Sequence, residues 1–185
     1  EIAGNGIDDD GNGVIDDIHG YNAINNSGDP LDDHGHGTHC AGIIGANGDN
    51  TSGVAGVNWT ASILPLKFLS NNGSGNLSDA LRAMDAVVQI KKQFPAEANI
   101  RVVSASWGFV GNSQALDTAI AGLNAADILF VAAAGNDGAN NDTTASFPAN
   151  SGQPNVISVA ATDRAFITLE MLEPLAKHAR DMNWH

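Results

Sequence analysis

A chain of 185 residues with 43% apolar content has material for one domain with a real core. Its net charge of -13, from 21 Asp and Glu against 8 Lys and Arg, argues against nucleic acid or an anionic membrane surface as partner. No apolar run is long enough to cross a bilayer, and a single cysteine excludes an internal disulfide.

The first 33 residues are rich in Gly, Asn and Asp and keep no apolar period, so they read as loop. Within them "DDDGNGVID" (8–16) offers oxygen at alternate positions: Asp8, Asp10 and Asn12, then Gly13 for a sharp turn. A calcium ion there would draw on the Val14 carbonyl and on Asp16 or Asp17 in place of the usual closing Glu. It would also offset the repulsion among Asp8, Asp9, Asp10, Asp16 and Asp17. A solvated acidic loop is the plainer alternative.

From Thr38 the character changes. "THCAGIIGA" predicts a short helix, with His39, Gly42 and Ile43 on a packing face and Cys40 buried as a small hydrophobe. "ASILPLKFL" (61–69) predicts a strand with a kink or edge at Pro65. After the loop "NNGSGN", residues 77–94 carry Leu77, Leu81, Met84, Val87, Val88 and Ile90 near helical spacing, capped by Asn76 or Ser78 and stopped by Pro95. A strand at 101–106, a helix at 113–126, an unbroken apolar strand at 128–135 and a strand at 155–161 follow. This alternation predicts an α/β fold with a parallel sheet covered by helices, its functional groups gathered at the carboxyl ends of the strands. Residues 164–185 carry more charge, Met and His, and predict a packing helix or frayed tail lined by Leu169, Leu172, Leu175 and Ala176.

The stretch "DDHGHGTHCAGIIGA" (32–46) places three histidines beside the one cysteine. Its H-x-H-x-x-H spacing at His34, His36 and His39 suits zinc in part, but Thr38 stands where a second metal would want a carboxylate. The other chemistry is nucleophilic catalysis. A general base is a histidine held rigidly at a fixed geometry, and His36 at a helix entrance beside Gly37 meets that need. Asn136 supports it: "VAAAGND" (131–137) sets an amide just past the end of a buried strand, where it can donate to a developing oxyanion.

Taken together, "HGTHCAG" (36–42), "GVAGVNWTASILPLKFLSNNGSG" (53–75), "SASWG" (104–108), "VAAAGND" and "FPANSGQPNVISVAATD" (147–163) resemble the subtilases, the subtilisin-like serine peptidases of the thermitase and proteinase K type. The resemblance implies a three-layer sheet with helices on both faces, incomplete here, and a domain over residues 1–163 with 1–33 as an acidic calcium-binding-like insertion. Residues 164–185 fall outside it. It makes His36 the general base and Asn136 the oxyanion donor. It makes Gly73, Ser74 and Gly75 one edge of a peptide cleft and Ser106, Trp107 and Gly108 the other, with substrate backbone added as a strand. A second calcium loop at 47–54 would use the Asn50 side chain and the Ser52 and Val54 carbonyls.

The family's serine motif, Gly-Thr-Ser-Met-Ala-x-Pro, does not occur in the 185 residues, and Asp16 only imitates its aspartate. The expectation is therefore a calcium-stabilised, secreted serine endopeptidase in its complete form, with this chain inactive alone. The alternatives are a calcium- or peptide-holding scaffold without catalysis, a truncated product, and a zinc-dependent hydrolase.

Overall fold

The computed structural model describes residues 2–162. The segment 164–185, expected to be a helix or tail, lies outside the described residues.

The architecture is α/β. Three parallel strands, β3 (Val102–Ala105), β5 (Leu129–Ala133) and β7 (Val156–Val159), form a sheet in the order β3-β5-β7. A parallel neighbour needs a crossover, and α3 (Gln114–Ala125) supplies it between β3 and β5. Ser113 caps α3, accepting from the Leu116 N–H at 3.2 Å. The longer helix α2 (Leu77–Gln93) packs beside α3. Met84 and Val87 of α2 join Leu116, Ile120, Leu123, Phe130, Ala132 and Ala105 in one buried cluster. Period and burial agree here: positions 84 and 87 lie one turn apart, as do 116, 120 and 123.

Several expectations need correction. The unbroken apolar run 128–135 is not evenly buried: Phe130 and Ala132 are buried while Leu129, Val131 and Ala133 are only half-buried. Only Leu66–Lys67 of the predicted strand 61–69 pairs, as β2, with the short parallel strand β1 (Tyr21–Asn22). Pro65 has no N–H to offer; its carbonyl accepts from the Tyr21 N–H at 3.1 Å. β1 itself lies in a segment read as loop, and Tyr21, Asn22 and Ala23 are buried. Asn76 precedes α2 without a side-chain cap bond; its Nδ2 donates to Asp79 at 3.3 Å instead. A small antiparallel pair, β4 (Phe109–Val110) with β6 (Ser146–Phe147), had no signal in the sequence.

The helix α1 runs His36–Gly45, so it starts before Thr38 and includes His36. It has no buried residue. The packing face expected of His39, Gly42 and Ile43 is not formed: His39 and Ile43 are exposed, and nothing lies within 4 Å of a methyl placed on Gly42. What holds α1 is backbone. The N–H groups of Gly56, Val57 and Asn58 donate to the carbonyls of Ala46, Ile43 and Ile44 at 2.8, 2.9 and 2.9 Å.

Candidate active site

His36 is the first residue of α1, and the turn before it is closed by Asp32. Asp32 Oδ1 accepts from the N–H groups of His34 (3.0 Å) and Gly35 (2.9 Å), and Oδ2 from the N–H (2.8 Å) and Oγ1 (2.7 Å) of Thr38. Gly35, at φ 94°, takes the left-handed backbone that the turn requires and has no side chain to cap with. Asp32 does that work from outside the helix. The Thr38 hydroxyl first, then the N–H groups of Gly35, Thr38 and His34, hold the Asp32 carboxyl well below the usual carboxylate range. The adjacent Asp33 pairs with Lys67 Nζ, which also donates to the Leu69 carbonyl at 2.9 Å. Two consecutive carboxylates thus tie the histidine loop to its own helix and to β2.

The first expected cleft edge lies against this loop. Gly73 N donates to Ser70 O and Ser70 N to Ser74 O, each at 2.9 Å. Gly73 sits at φ 75°, and a methyl added there would come within 3.2 Å of His34 Nε2. Gly73, Ser74 and Gly75 are exposed. The His34 and His36 ring centroids are 6.4 Å apart, edge to face.

Contact then passes to the second edge. Phe68 meets Trp107 edge to face with centroids 5.0 Å apart. Ser106, Trp107 and Gly108 leave the carboxyl end of β3, and a methyl on Gly108 would stand 2.8 Å from the Phe147 carbonyl oxygen. Ala105 of β3 pairs with Ala132 of β5, so Asn136 emerges from the next strand end along the same edge of the sheet. Gly135, at φ 108°, makes the turn, and Asn141 Nδ2 holds the Ala134 carbonyl at 3.1 Å. Asn136 is exposed. A histidine can take a proton and an exposed amide can donate to an oxyanion, each in its own part of this surface.

Cys40 is half-buried rather than sunk in the core, and its Sγ lies 3.8 Å from His36 Nε2, one helical turn away. Ser158, the last serine of the chain, sits in β7 and donates its hydroxyl to the Ala149 carbonyl, away from any role as nucleophile. For zinc the outcome is a correction. Among the described residues no three His, Cys, Asp or Glu side chains converge as metal ligands.

The acidic loop closes through internal hydrogen bonds. Asp8 accepts from the N–H groups of Gly11 (2.7 Å), Asn12 (3.1 Å) and Gly13 (2.9 Å). These bonds, Gly13's foremost, lower its pKa against the opposing cost of burial. Asn12 Nδ2 reaches Asp10 at 3.2 Å and Asp17 at 2.9 Å, while its Oδ1 accepts from the Val14 N–H at 2.8 Å. Asp16 accepts from the N–H groups of Asn5 (3.2 Å) and Gly6 (3.1 Å). As arranged, then, Asn12 presents an amide nitrogen to the two carboxylates, where a cation would need its oxygen. Asn50 likewise spends its Oδ1 on the Ser52 N–H, at 3.0 Å, in a turn of its own.

A parallel sheet backed by α3, with the amide turn at the carboxyl end of its central strand, is an α/β scaffold that matches subtilisin-like proteinases. The Subtilase family sequence profile matches residues 2–182, and the chain belongs to that family. It is 39% identical over 131 residues to Subtilisin-like protease 1 of Plasmodium berghei (strain Anka), a match covering 71% of this chain and 20% of that protein. To the Minor extracellular protease Epr of Bacillus subtilis (strain 168) it is 35% identical over 144 residues, covering 78% of this chain and 20% of that one. Among solved structures, a cold-adapted subtilisin-like serine proteinase superposes with a TM-score of 0.63 at 31% identity, covering 87% of this chain and 52% of the other. The chain therefore spans about a fifth of the length of these two curated relatives.

Asp32, Asp33 and Lys67 carry much of the site's geometry, and no motif pointed to them. The one available signal was an Asp shortly before a helix start whose own entry residue is a glycine.

Proposed function

We propose that this chain carries the general-base and oxyanion portion of a subtilisin-type serine endopeptidase, with His36 taking the nucleophile's proton and Asn136 donating to the tetrahedral oxyanion. The observation that carries the reading is the closed turn 32–38, which sets His36 at the first position of α1, with its neighbour His34 against Gly73. Family membership supports peptide bonds as the target. The two edges accept extended backbone as an added strand, with Gly73, Ser74 and Gly75 on one side and Ser106, Trp107 and Gly108 on the other. The nucleophile and the orienting carboxylate come from outside these residues, so the chain alone does not turn over substrate. Removing one oxyanion donor costs about 10²–10³ in turnover; that magnitude was measured in a subtilisin and is borrowed here.

The test joins two proteins. Purified chain, treated with a fluorophosphonate and a peptide substrate, is expected to show no serine labelling and no cleavage. Substituting residues 2–162 for the matched segment of Epr should give a chimera that labels and cleaves, with His36→Ala abolishing cleavage and Asn136→Ala lowering it in the range above. Cleavage by the chain itself, or a chimera indifferent to His36→Ala, would sink the reading.

The complete protein is extracellular in this reading, as a relative's name says of that protein. Calcium at the 8–17 loop belongs to the same reading, with Asp8, Asp10, Asn12, the Val14 carbonyl and Asp16 or Asp17 as oxygen donors; they do not converge in the present arrangement and would have to draw together around the ion. A melting temperature that rises no more with calcium than with magnesium would remove that site.

A further inference from the structure

We propose that Asp32 is the positioning residue of the candidate general base, fixing the His36 imidazole by closing the chain on both sides of it. The proposal rests on the reading of His36 given above. Asp32 is not the triad carboxylate: the groups it bonds are three backbone N–H groups and the Thr38 hydroxyl, not an imidazole nitrogen.

The geometry is unusual for a cap. An ordinary capping side chain sits at the helix entrance itself and accepts from one N–H two or three residues on. Here that entrance residue is Gly35, which makes no side-chain cap, and the first turn of α1 has no acidic residue. One carboxylate spans the gap. Oδ1 gathers the two N–H groups before His36, and Oδ2 gathers the N–H and hydroxyl of the residue two places after it. His36 is therefore held by its chain neighbours at both ends. The negative charge of Asp32 also faces the positive end of the helix, which favours the same closed state.

Burial cannot do this job, because no residue of α1 is buried. Two side chains approach His36, the His34 ring edge to face and Cys40 Sγ at 3.8 Å from Nε2, and both belong to the loop and helix that Asp32 ties together. Asp33 and Lys67 secure the loop to β2 but do not touch the turn of the helix. Local hydrogen bonding is what remains, and Asp32 supplies it. Displacing a catalytic group by about 1 Å costs roughly 10²-fold in rate, so such a clamp has consequence for catalysis.

The test uses the full 185-residue chain with isotope-labelled histidine. In the parent chain, the His36 ring shows nuclear Overhauser contacts to the Cys40 side chain, as its 3.8 Å Nε2–Sγ separation requires. Asp32→Ala should abolish those contacts while the Leu116 and Phe130 methyl and ring contacts persist. Thr38→Val, which deletes only the hydroxyl, should weaken them. Asp32→Asn, which keeps one acceptor oxygen, should restore part of what alanine loses. Asp33→Asn, which breaks only the Lys67 tie, should leave them intact. A purely structural cap would lower the melting temperature in Asp32→Ala and leave the His36 contacts in place; that result overturns the proposal. If alanine unfolds the chain, Thr38→Val and Asp32→Asn decide: contacts unchanged in both also overturn it. None of these signals depends on peptide cleavage. Failure here removes the positioning role alone, whereas a chimera indifferent to His36→Ala removes the catalytic reading.

Discussion

The two sides of this molecule are built on opposite principles. Around α2, α3 and β5, stability comes from burial: Leu116, Ile120, Leu123 and Phe130 have no exposed surface. Around α1 and the segment after it, the apolar residues face outward, with Ile43 at 53% exposure, Val54 at 70% and Val57 at 89%. Yet the candidate base sits on the second side. The difference teaches that the histidine helix relies on hydrogen bonds rather than on fully buried side chains. The Ile43 and Ile44 side chains of α1 stay exposed among the described residues, and the rest of the helix is at most half-buried.

The contrast is sharpest for substitutions in the core. Phe130→Ala removes a fully buried ring from the central strand, and should cost about 3–5 kcal/mol in a urea titration. That is a large share of the roughly 5–15 kcal/mol expected of a domain, so partial unfolding at room temperature is the expected outcome. A cost under about 1 kcal/mol would mean that the cluster around β5 is not what holds the fold.

A smaller effect separates the sides by pH. The Asp32 carboxyl ionises below the usual range because the Thr38 hydroxyl and three N–H groups bind its charged form. A folded pKa below the unfolded one means that the folded state resists protonation. The stabilisation is then complete above the unfolded value of about 3.9 and withdrawn as pH falls toward the folded value. Helix α1 should therefore loosen in acid before α2 and α3 do. Protection of the Cys40–Gly45 amides, taken relative to the intrinsic exchange rate at each pH, should fall below about pH 4 in the parent chain. In Asp32→Asn, which has no such proton to gain, that protection should be lower at neutral pH and nearly independent of acid. Equal acid slopes in both chains would show that Asp32 is not the group responsible.

How much of this was legible follows the same division. Long, buried elements announced themselves: the apolar run at 128–135 became β5, and the spacing of Leu81, Met84, Val87 and Val88 became α2. Their signal is periodic burial, which sequence carries directly. The two-residue strands β1, β4 and β6 are too short to have a period, and each exists only because a distant partner is present. α1 misled in a different way. Its Ile43 and Ile44 look like core residues by composition, and the helix begins at His36 because an aspartate outside it caps the turn. The catalytic candidates His36 and Asn136 were readable from motifs; the groups that hold His36 in place were not.

The smallest expected effect is also the most discriminating. Ile43→Ser replaces a large apolar side chain with a polar one, a change that in the α2–α3 cluster would be severe. On α1 that side chain is more than half exposed and so has little contact to lose, so the urea midpoint should move by no more than about 0.5 kcal/mol. Solubility should rise, since exposed apolar surface on one face invites association between chains. The same substitution inside the Epr chimera is the informative partner experiment. If it is costly there and harmless here, Ile43 faces a neighbour that only the longer protein provides. If it is harmless in both, the backbone bonds from Gly56, Val57 and Asn58 are sufficient to hold the histidine helix. The outward apolar face then has no part in placing His36.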